Sequence, residues 1–448
     1  MKLIEKNNET VLKARLKKHL LNAKQRRHRK QKRKNLGQLK GLELVKGMPL
    51  LDDFLERNQS CEKHDPYNSL AIKTPKNFNI FENPCSVLSF LAGFIDFALK
   101  SKSRKIVVNH SKTKKYSLGS EVLLGLLAGE VKRVRNLASR PLEFSGLVKS
   151  NNVEHQLLLA EVGIISELDN AVLATGVEPN ARIHVYKKDC TINESVSSTG
   201  DDLKNITASE FVTHIKSALY DHDLKLSDDA AESIKGCLGE ILDNVNEHSG
   251  KTSPVWSVRG YINNNGKNRD LELVVMNMGY SIAETFERLP EGNLSKGIVS
   301  KYASHHLRGR NGGLFNKEQL YTVAALQGRI SSKNKKNKDT RGQGTITLIE
   351  TFEKIYRDYQ RLREPKGSDC ATMNLISGNV VVKFDGTYMS KILKNVDGGE
   401  RVTISFNKTE SLTDSPDPNY VCRMRSYFPG LMINIKIPLR GSITPIGE

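Results

Sequence analysis

From residue 78 onwards the apolar positions fall into short runs whose period switches between helical and extended. Ser86 to Leu99 is apolar at helical spacing, Lys105-Ile-Val-Val-Asn109 predicts a short buried strand, and Ser120 to Arg135 predicts a second helix. Leu147 sits in another strand-like piece, His155 to Val162 is helical again, and Arg182-Ile-His-Val-Tyr186 alternates as a strand does. Strands alternating with helices predict a small α/β domain over residues 78–190. A polar stretch, Thr191 to Asn205, ends it, and helical periodicity resumes from Ser209 to Leu219 and again after Ser227. Strands are expected at Leu271–Met276, Asn379–Phe384 and Leu431–Ile437, so a second domain covers about residues 205–440. No repeat of about 20 to 50 residues is visible, which argues against a solenoid.

The first residues break this pattern. Leu12, Leu16 and Leu20 share one helix face, and after them Lys24 to Lys34 contains no large apolar residue. Residues 1–46 hold sixteen Lys/Arg against Glu5, Glu9 and Glu43, or 16 − 3 = +13 of the chain's +19. Residues 1–45 therefore read as a basic helical or disordered segment, and 46–77 as a linker. Such a block is solvated or paired with anions. A nucleic-acid contact through residues 1–35 would be made to phosphate and be blind to sequence, because no aromatic residue stands there for base stacking. The 448 residues allow two or three domains. No apolar run reaches the roughly 20 residues of a membrane span. The cysteines (Cys61, Cys85, Cys190, Cys237, Cys370, Cys422) form no CxxC pair and no framework, and a cytoplasmic protein with reduced thiols is expected.

The chemistry concentrates in residues 227–250. Asp229 with Glu232 suggests a capping box, Gly250 suits a helix C-terminus, and Ile234, Leu238, Ile241 and Val245 form a buried stripe at 4-3-4 spacing. Glu240, Asn244 and His248 make a polar row beside it. A carboxylate at Glu240 can orient or deprotonate an attacking water or hydroxyl. One turn on, the Asn244 amide oxygen is a hard, neutral ligand suited to Mg²⁺. The same residues also describe an ordinary amphipathic helix with a polar shoulder.

Glu240-Ile-Leu-Asp-Asn244-Val-Asn-Glu-His248-Ser249 resembles the N-box of the GHKL ATPases, which include gyrase, MutL, histidine kinases and the bacterial anti-sigma-factor serine kinases. The resemblance implies a Bergerat-type α/β sandwich, with Glu240 as catalytic base and Asn244 as the Mg²⁺ ligand. Asn277-Met-Gly279-Tyr-Ser281 after a strand is similar to the family's Asp-x-Gly-x-Gly box, with Asn277 in place of the acid that meets adenine and Ser281 in place of the second glycine. Arg341-Gly342-Gln-Gly344-Thr345 resembles the later glycine box, whose backbone N–H groups approach phosphate at a helix start. The segment at about 287–340 takes the place of the ATP lid and holds Arg308-Gly-Arg310-Asn-Gly312-Gly313 and the run Lys333 to Lys338. It reads equally as a closing lid and as a solvated loop, while His305 and His306 read as surface residues. Gly430-Leu431 stands where the family has Gly-Thr before a closing strand that ends Ile-Pro-Leu. Implied as nucleotide-binding are thus Asn244, Asn277, Gly279, Ser281, Arg310, Gly312, Gly313, Arg341, Gly342, Gly344 and Thr345, with ATP and Mg²⁺ as cofactors.

The first α/β region resembles a STAS domain, the partner fold of those kinases, through Ile106 to Asn109 followed by Ser117-Leu118-Gly119-Ser120 before an apolar helix. Leu118 occupies the position of the family's phosphorylated serine, so no phosphoswitch carries over, and a generic α/β domain explains the region equally well. The expectation is a Mg-ATP-dependent regulatory ATPase or serine/threonine kinase that switches a protein partner, compatible with a homodimer. Two rivals stand beside it: a non-catalytic nucleotide sensor or adaptor, favoured by Asn277 and Leu431, and a nucleic-acid-associated ATPase of a mobile-element or defence system, favoured by the basic N-terminus.

Overall fold

The computed structural model describes residues 49–58, 71–149, 151–168, 183–190, 200–248, 256–263, 270–308, 313–328, 330–331, 344–361, 371–394, 400–439 and 443–446. The basic segment at 1–45, the glycines Gly250, Gly312 and Gly342, the cations Arg310 and Arg341, and the run Lys333 to Lys338 lie outside them. The chain is a mixed α/β protein and divides into two compact units, Met1–Asn180 and Ala181–Glu448. Among the described residues no helix is long and apolar enough to cross a membrane.

Among the described residues the first unit begins with helix α1 (Pro49–Arg57) and strands β1 (Ala71–Lys73) and β2 (Asn77–Phe78), so part of the expected linker is ordered. Then come α2 (Pro84–Lys100), β3 (Lys105–Asn109), β4 (Lys115–Tyr116), α3 (Leu118–Leu137), β5 (Glu143–Leu147), α4 (Val153–Glu161) and the short α5 (Ile164–Glu167). A parallel sheet of three strands in the order β1–β3–β5 has α2 and α3 as its crossovers, the helix-bridged connection that parallel pairing demands. Pro84 sits where a helix start tolerates a missing N–H, and α2 buries apolar residues around most of its surface, from Val87 to Leu99. The nearly buried Arg135 guanidinium donates to the carbonyls of Ala98, Ser101, Ser103 and Arg140, closing the loop between α2 and β3. Ser117 and Ser120, considered above beside the STAS position, are buried and bonded to each other at 2.9 Å, and Ser117 Oγ also accepts from the Ile80 N–H.

The second unit is built on one antiparallel sheet. Its strands are β6 (Ile183–Cys190), β8 (Trp256–Asn263), β9 (Asp270–Met278), β10 (Thr372–Phe384) and β13 (Val421–Pro438), in the order β10–β13–β9–β8–β6. The strand expected at 182–186 thus does not belong to the first α/β domain. It pairs along its length with β8, from Ile183 opposite Asn263 to Cys190 opposite Trp256, because its partner surface lies in the later sheet. Helices α6 (Gly200–Tyr220), α7 (Asp228–His248), α8 (Ile282–Glu287), α9 (Leu294–Arg308), α10 (Lys317–Ala325) and α11 (Gly344–Arg361) supply the rest of the core. The small ladders β7 (Leu224–Leu226) with β14 (Ile443–Pro445) and β11 (Lys391–Lys394) with β12 (Glu400–Thr403) complete it.

Period-2 alternation decides which sheet face this core uses. Leu271, Leu273 and Val275 of β9 join Leu431, Ile433, Ile435 and Ile437 of β13 against Ile234, Leu238, Ile241 and Val245 of α7. The 4-3-4 stripe is therefore the buried face of α7, which packs against α6, α11 and the sheet. The ring of Phe211 on α6 lies on β8 at Gly260, where an added Cβ would fall 2.3 Å from its Cε2. Gly260→Ala is expected to destabilise the unit by about 1–3 kcal/mol in urea unfolding, with Phe211→Leu restoring part of the loss. An unchanged midpoint for Gly260→Ala would show that the ring has room to move.

Candidate functional site

Helix α7 begins two residues earlier than its sequence signals indicate. The cap is Ser227, whose Oγ accepts from the Ala230 N–H at 3.4 Å, while Asp228 and Asp229 lie within the first turn and favour the helix dipole there. The stripe at Ile234, Leu238, Ile241 and Val245 turns Glu240 and Asn244 to its shoulder, where both are half-buried. His248 ends the helix, and its side chain lies outside the described residues. Burial, and secondarily the charge of Asp243, raises the Glu240 carboxyl above the ordinary glutamate range. Asp243 itself is exposed and pairs with Lys204 of α6. Glu240 is thus a carboxylate of raised basicity, one turn from a neutral amide.

Asn277 lies in the last part of β9, not after it. Alternation from Leu271, Leu273 and Val275 puts its side chain on the sheet face that α7 covers, and it is 1% exposed. Its Oδ1 accepts from the Leu431 N–H at 3.2 Å, which fixes the amide orientation and leaves Nδ2 buried with no hydrogen-bond partner. Just beyond, the Gly279 N–H donates to the Pro429 carbonyl at 3.2 Å, and Gly430 takes φ +129 as the long strand β13 passes. Ser377 of β10 locks this crossing: its Oγ donates to the Gly430 carbonyl at 2.8 Å and accepts from the Ile282 N–H at 2.9 Å. Register shifts on both sides of Gly378 mark the same point in the β10–β13 ladder.

Ser281 has a different job from the one its place in the motif suggests. It caps α8: its Oγ accepts from the Glu284 N–H at 3.2 Å, its own N–H donates to the Glu284 carboxylate at 2.9 Å, and its carbonyl receives Thr285. These groups are committed to the helix start, as a capping box requires. Gly344 and Thr345 open α11, in agreement with a helix starting at the later glycine box. Gly313 is exposed before α10.

The described part of the lid region, residues 287–308 and 313–328, is more structured than a solvated loop. Val299 and Ala303 of α9, with Leu320, Tyr321, Val323 and Ala324 of α10, are part of the main core, and Asn316 caps α10 through a capping box with Gln319. His306 also departs from expectation. It is buried, its Nε2 sits 3.1 Å from the Leu412 carbonyl, and burial holds its pKa below the usual histidine value. His305 beside it is exposed, as expected.

One cluster has no counterpart in the sequence reading. In the first unit His110, Glu121 and His155 are 2%, 0% and 1% exposed, and their rings and carboxylate meet. Burial drives the Glu121 carboxyl up, but His110 and His155 together outweigh it and hold the group at about 2. The three residues are 11 and 34 positions apart, so only the β3–α3 crossover and the return of α4 bring them together.

The chain matches no protein-family model, no curated protein and no solved structure.

Proposed function

We propose that the unit Ala181–Glu448 binds Mg-ATP as a divergent GHKL domain, acting as a regulatory ATPase or serine/threonine kinase that switches a protein partner. The observation that carries this reading is that Glu240 and Asn244 lie one turn apart, half-buried on the shoulder of α7, the helix whose apolar stripe packs on the sheet that carries Asn277. A layer of helices on a five-stranded antiparallel sheet agrees with the α/β sandwich that the motif resemblance implies. Glu240 has the raised basicity a general base needs, since a carboxylate with a pKa nearer the operating pH takes a proton more effectively. Asn244 is the group to which Mg²⁺ is assigned, and the cation would neutralise the phosphate charge that builds up during transfer.

Asn277 departs from the acid of the family's motif, and its environment supports a modified role. With Oδ1 held by Leu431, the amide presents its N–H₂ side, so it would donate to a base rather than accept from one. Ser281 is dropped from the nucleotide contacts because its polar groups are spent on α8.

The test is the Mg²⁺ dependence of ATP binding in Asn244→Ala. Wild type is expected to bind ATP more tightly as Mg²⁺ is raised, and the variant to lose most of that dependence, by about tenfold in apparent affinity at saturating Mg²⁺, the low end of the 1–3 kcal/mol range for a lost polar partner. Identical Mg²⁺ titrations for both proteins would remove Asn244 from the site.

A further inference from the structure

The buried trio His110, Glu121 and His155 has the composition and spacing of a metal centre. His110 follows β3 directly, Glu121 lies in the first turn of α3, and His155 in the first turn of α4, so three elements deliver one ligand each. His155 Nε2 is 2.8 Å from Glu121 Oε1, His110 Nε2 is 3.3 Å from Glu121 Oε2, and the ligand atoms all lie within 4.8 Å of one another. Atoms held at about 2.0–2.1 Å from a tetrahedral cation sit roughly 3.3 Å apart, so the cluster needs only small adjustments to enclose one. The two imidazoles are nearly perpendicular, at 87° with centroids 5.3 Å apart, and His155 is steadied by stacking on Tyr116 at 4.0 Å.

Hydrogen bonding alone leaves this arrangement incomplete. His110 Nε2 and Glu121 Oε2 are fully buried and face each other at 3.3 Å, an ion-pair contact without good hydrogen-bond geometry, so neither atom is well satisfied. Poor satisfaction of buried polar atoms costs up to about 1–3 kcal/mol each. A cation between them satisfies both at once, and the ionised carboxylate offsets half of a divalent charge. Among the described residues no other group of three His, Cys, Asp or Glu side chains comes this close.

We propose that His110, Glu121 and His155 form a binding site for a borderline divalent cation of the zinc class, which pins α4 to the β3–α3 crossover. Two neutral nitrogens and one carboxylate suit Zn²⁺ and, among spectroscopic substitutes, Co²⁺; Mg²⁺ and Ca²⁺ prefer sets richer in oxygen. With all three ligands buried, the cation has a structural role and adds to stability by binding only the folded state. This site lies in the first unit and does not depend on the nucleotide reading of the second.

The experiment uses the full-length chain, stripped with a chelator and titrated with Co²⁺ and then Zn²⁺. One equivalent of Co²⁺ is expected to produce the visible d–d bands of a low-coordinate site, Zn²⁺ to abolish them, and either ion to raise the Tm. His110→Ala and His155→Ala should each weaken binding by about 100-fold or more, while His305→Ala, at an exposed histidine elsewhere, should leave it unchanged. The wild type decides even if a variant does not fold. Absence of both the d–d bands and any Zn²⁺-induced shift in Tm overturns the proposal. So does binding of wild-type strength in a folded His110→Ala or His155→Ala protein.

Discussion

Glu240→Gln is expected to lower ATP turnover by about 10²–10⁴-fold while leaving nucleotide affinity largely intact, because it removes a general base and nothing that holds phosphate. A steady-state assay beside equilibrium binding checks both halves, and equal turnover by variant and wild type would strip Glu240 of its role. The pH profile adds a second signature. Burial and Asp243 raise the Glu240 pKa, and the base works only when ionised, so activity should rise with pH through a limb above the ordinary glutamate range. Asp243→Asn removes the second of these causes and should move that limb down. It also breaks the exposed pair with Lys204, which contributes at most about 1 kcal/mol. The stability effect has the opposite sign. A carboxyl whose folded pKa is raised stabilises the fold only below its unfolded value, and that contribution is lost as pH rises through the folded one. At neutral pH the Gln variant should therefore be at least as stable as wild type, which separates lost chemistry from lost structure.

The second large effect is expected at Gly430. Its φ of +129 lies where L side chains are strained, and an added Cβ would stand 2.2 Å from the Asn277 carbonyl oxygen and 3.0 Å from the Gly279 nitrogen. Both neighbours are backbone atoms in a paired strand and its turn, so neither can step aside. Gly430→Ala should cost about 3 kcal/mol or more, combining backbone strain with overlap. In thermal unfolding that is a fall in Tm of roughly 6 °C or more. Gly292 provides the comparison: it also has positive φ, at +84, but nothing lies within 4 Å of its added Cβ. Gly292→Ala should cost only about 1 kcal/mol. Equal losses at the two positions would mean that the close approach of β13 to β9 carries no weight. Because the same crossing holds Leu431 N–H against Asn277, the alanine variant should also weaken nucleotide binding.

Much of this arrangement was readable along the chain, for reasons particular elements make clear. The stripe of α7 and the apolar run of α2 were visible because helical periodicity over many residues has few rivals. β3 was found at its full length because it is a short, β-branched run with polar ends. What escaped were relations between distant segments. The strand Ile183–Cys190 looks local, yet its partner β8 lies more than sixty residues on. Ser281 sits in a motif position that suggests ligand, but Glu284 three residues later made it a cap, a signal that was present in the sequence and outweighed by the motif. His306 became buried only because the segment at Leu412 folds over it, and no pattern around His306 announces that. The trio at His110, Glu121 and His155 is the extreme case, since each residue taken alone is an ordinary polar position, and His110 and His155 have polar neighbours on both sides.

The nucleotide reading is tested most directly by titration calorimetry of the full-length protein with ATP, ADP and GTP, each with and without Mg²⁺. One ATP per chain is expected, bound more tightly with Mg²⁺, and with the Mg²⁺ effect larger for the triphosphate than for ADP. A folded protein that gives no binding heat with any of the three nucleotides at millimolar concentration, whether or not Mg²⁺ is present, would contradict it.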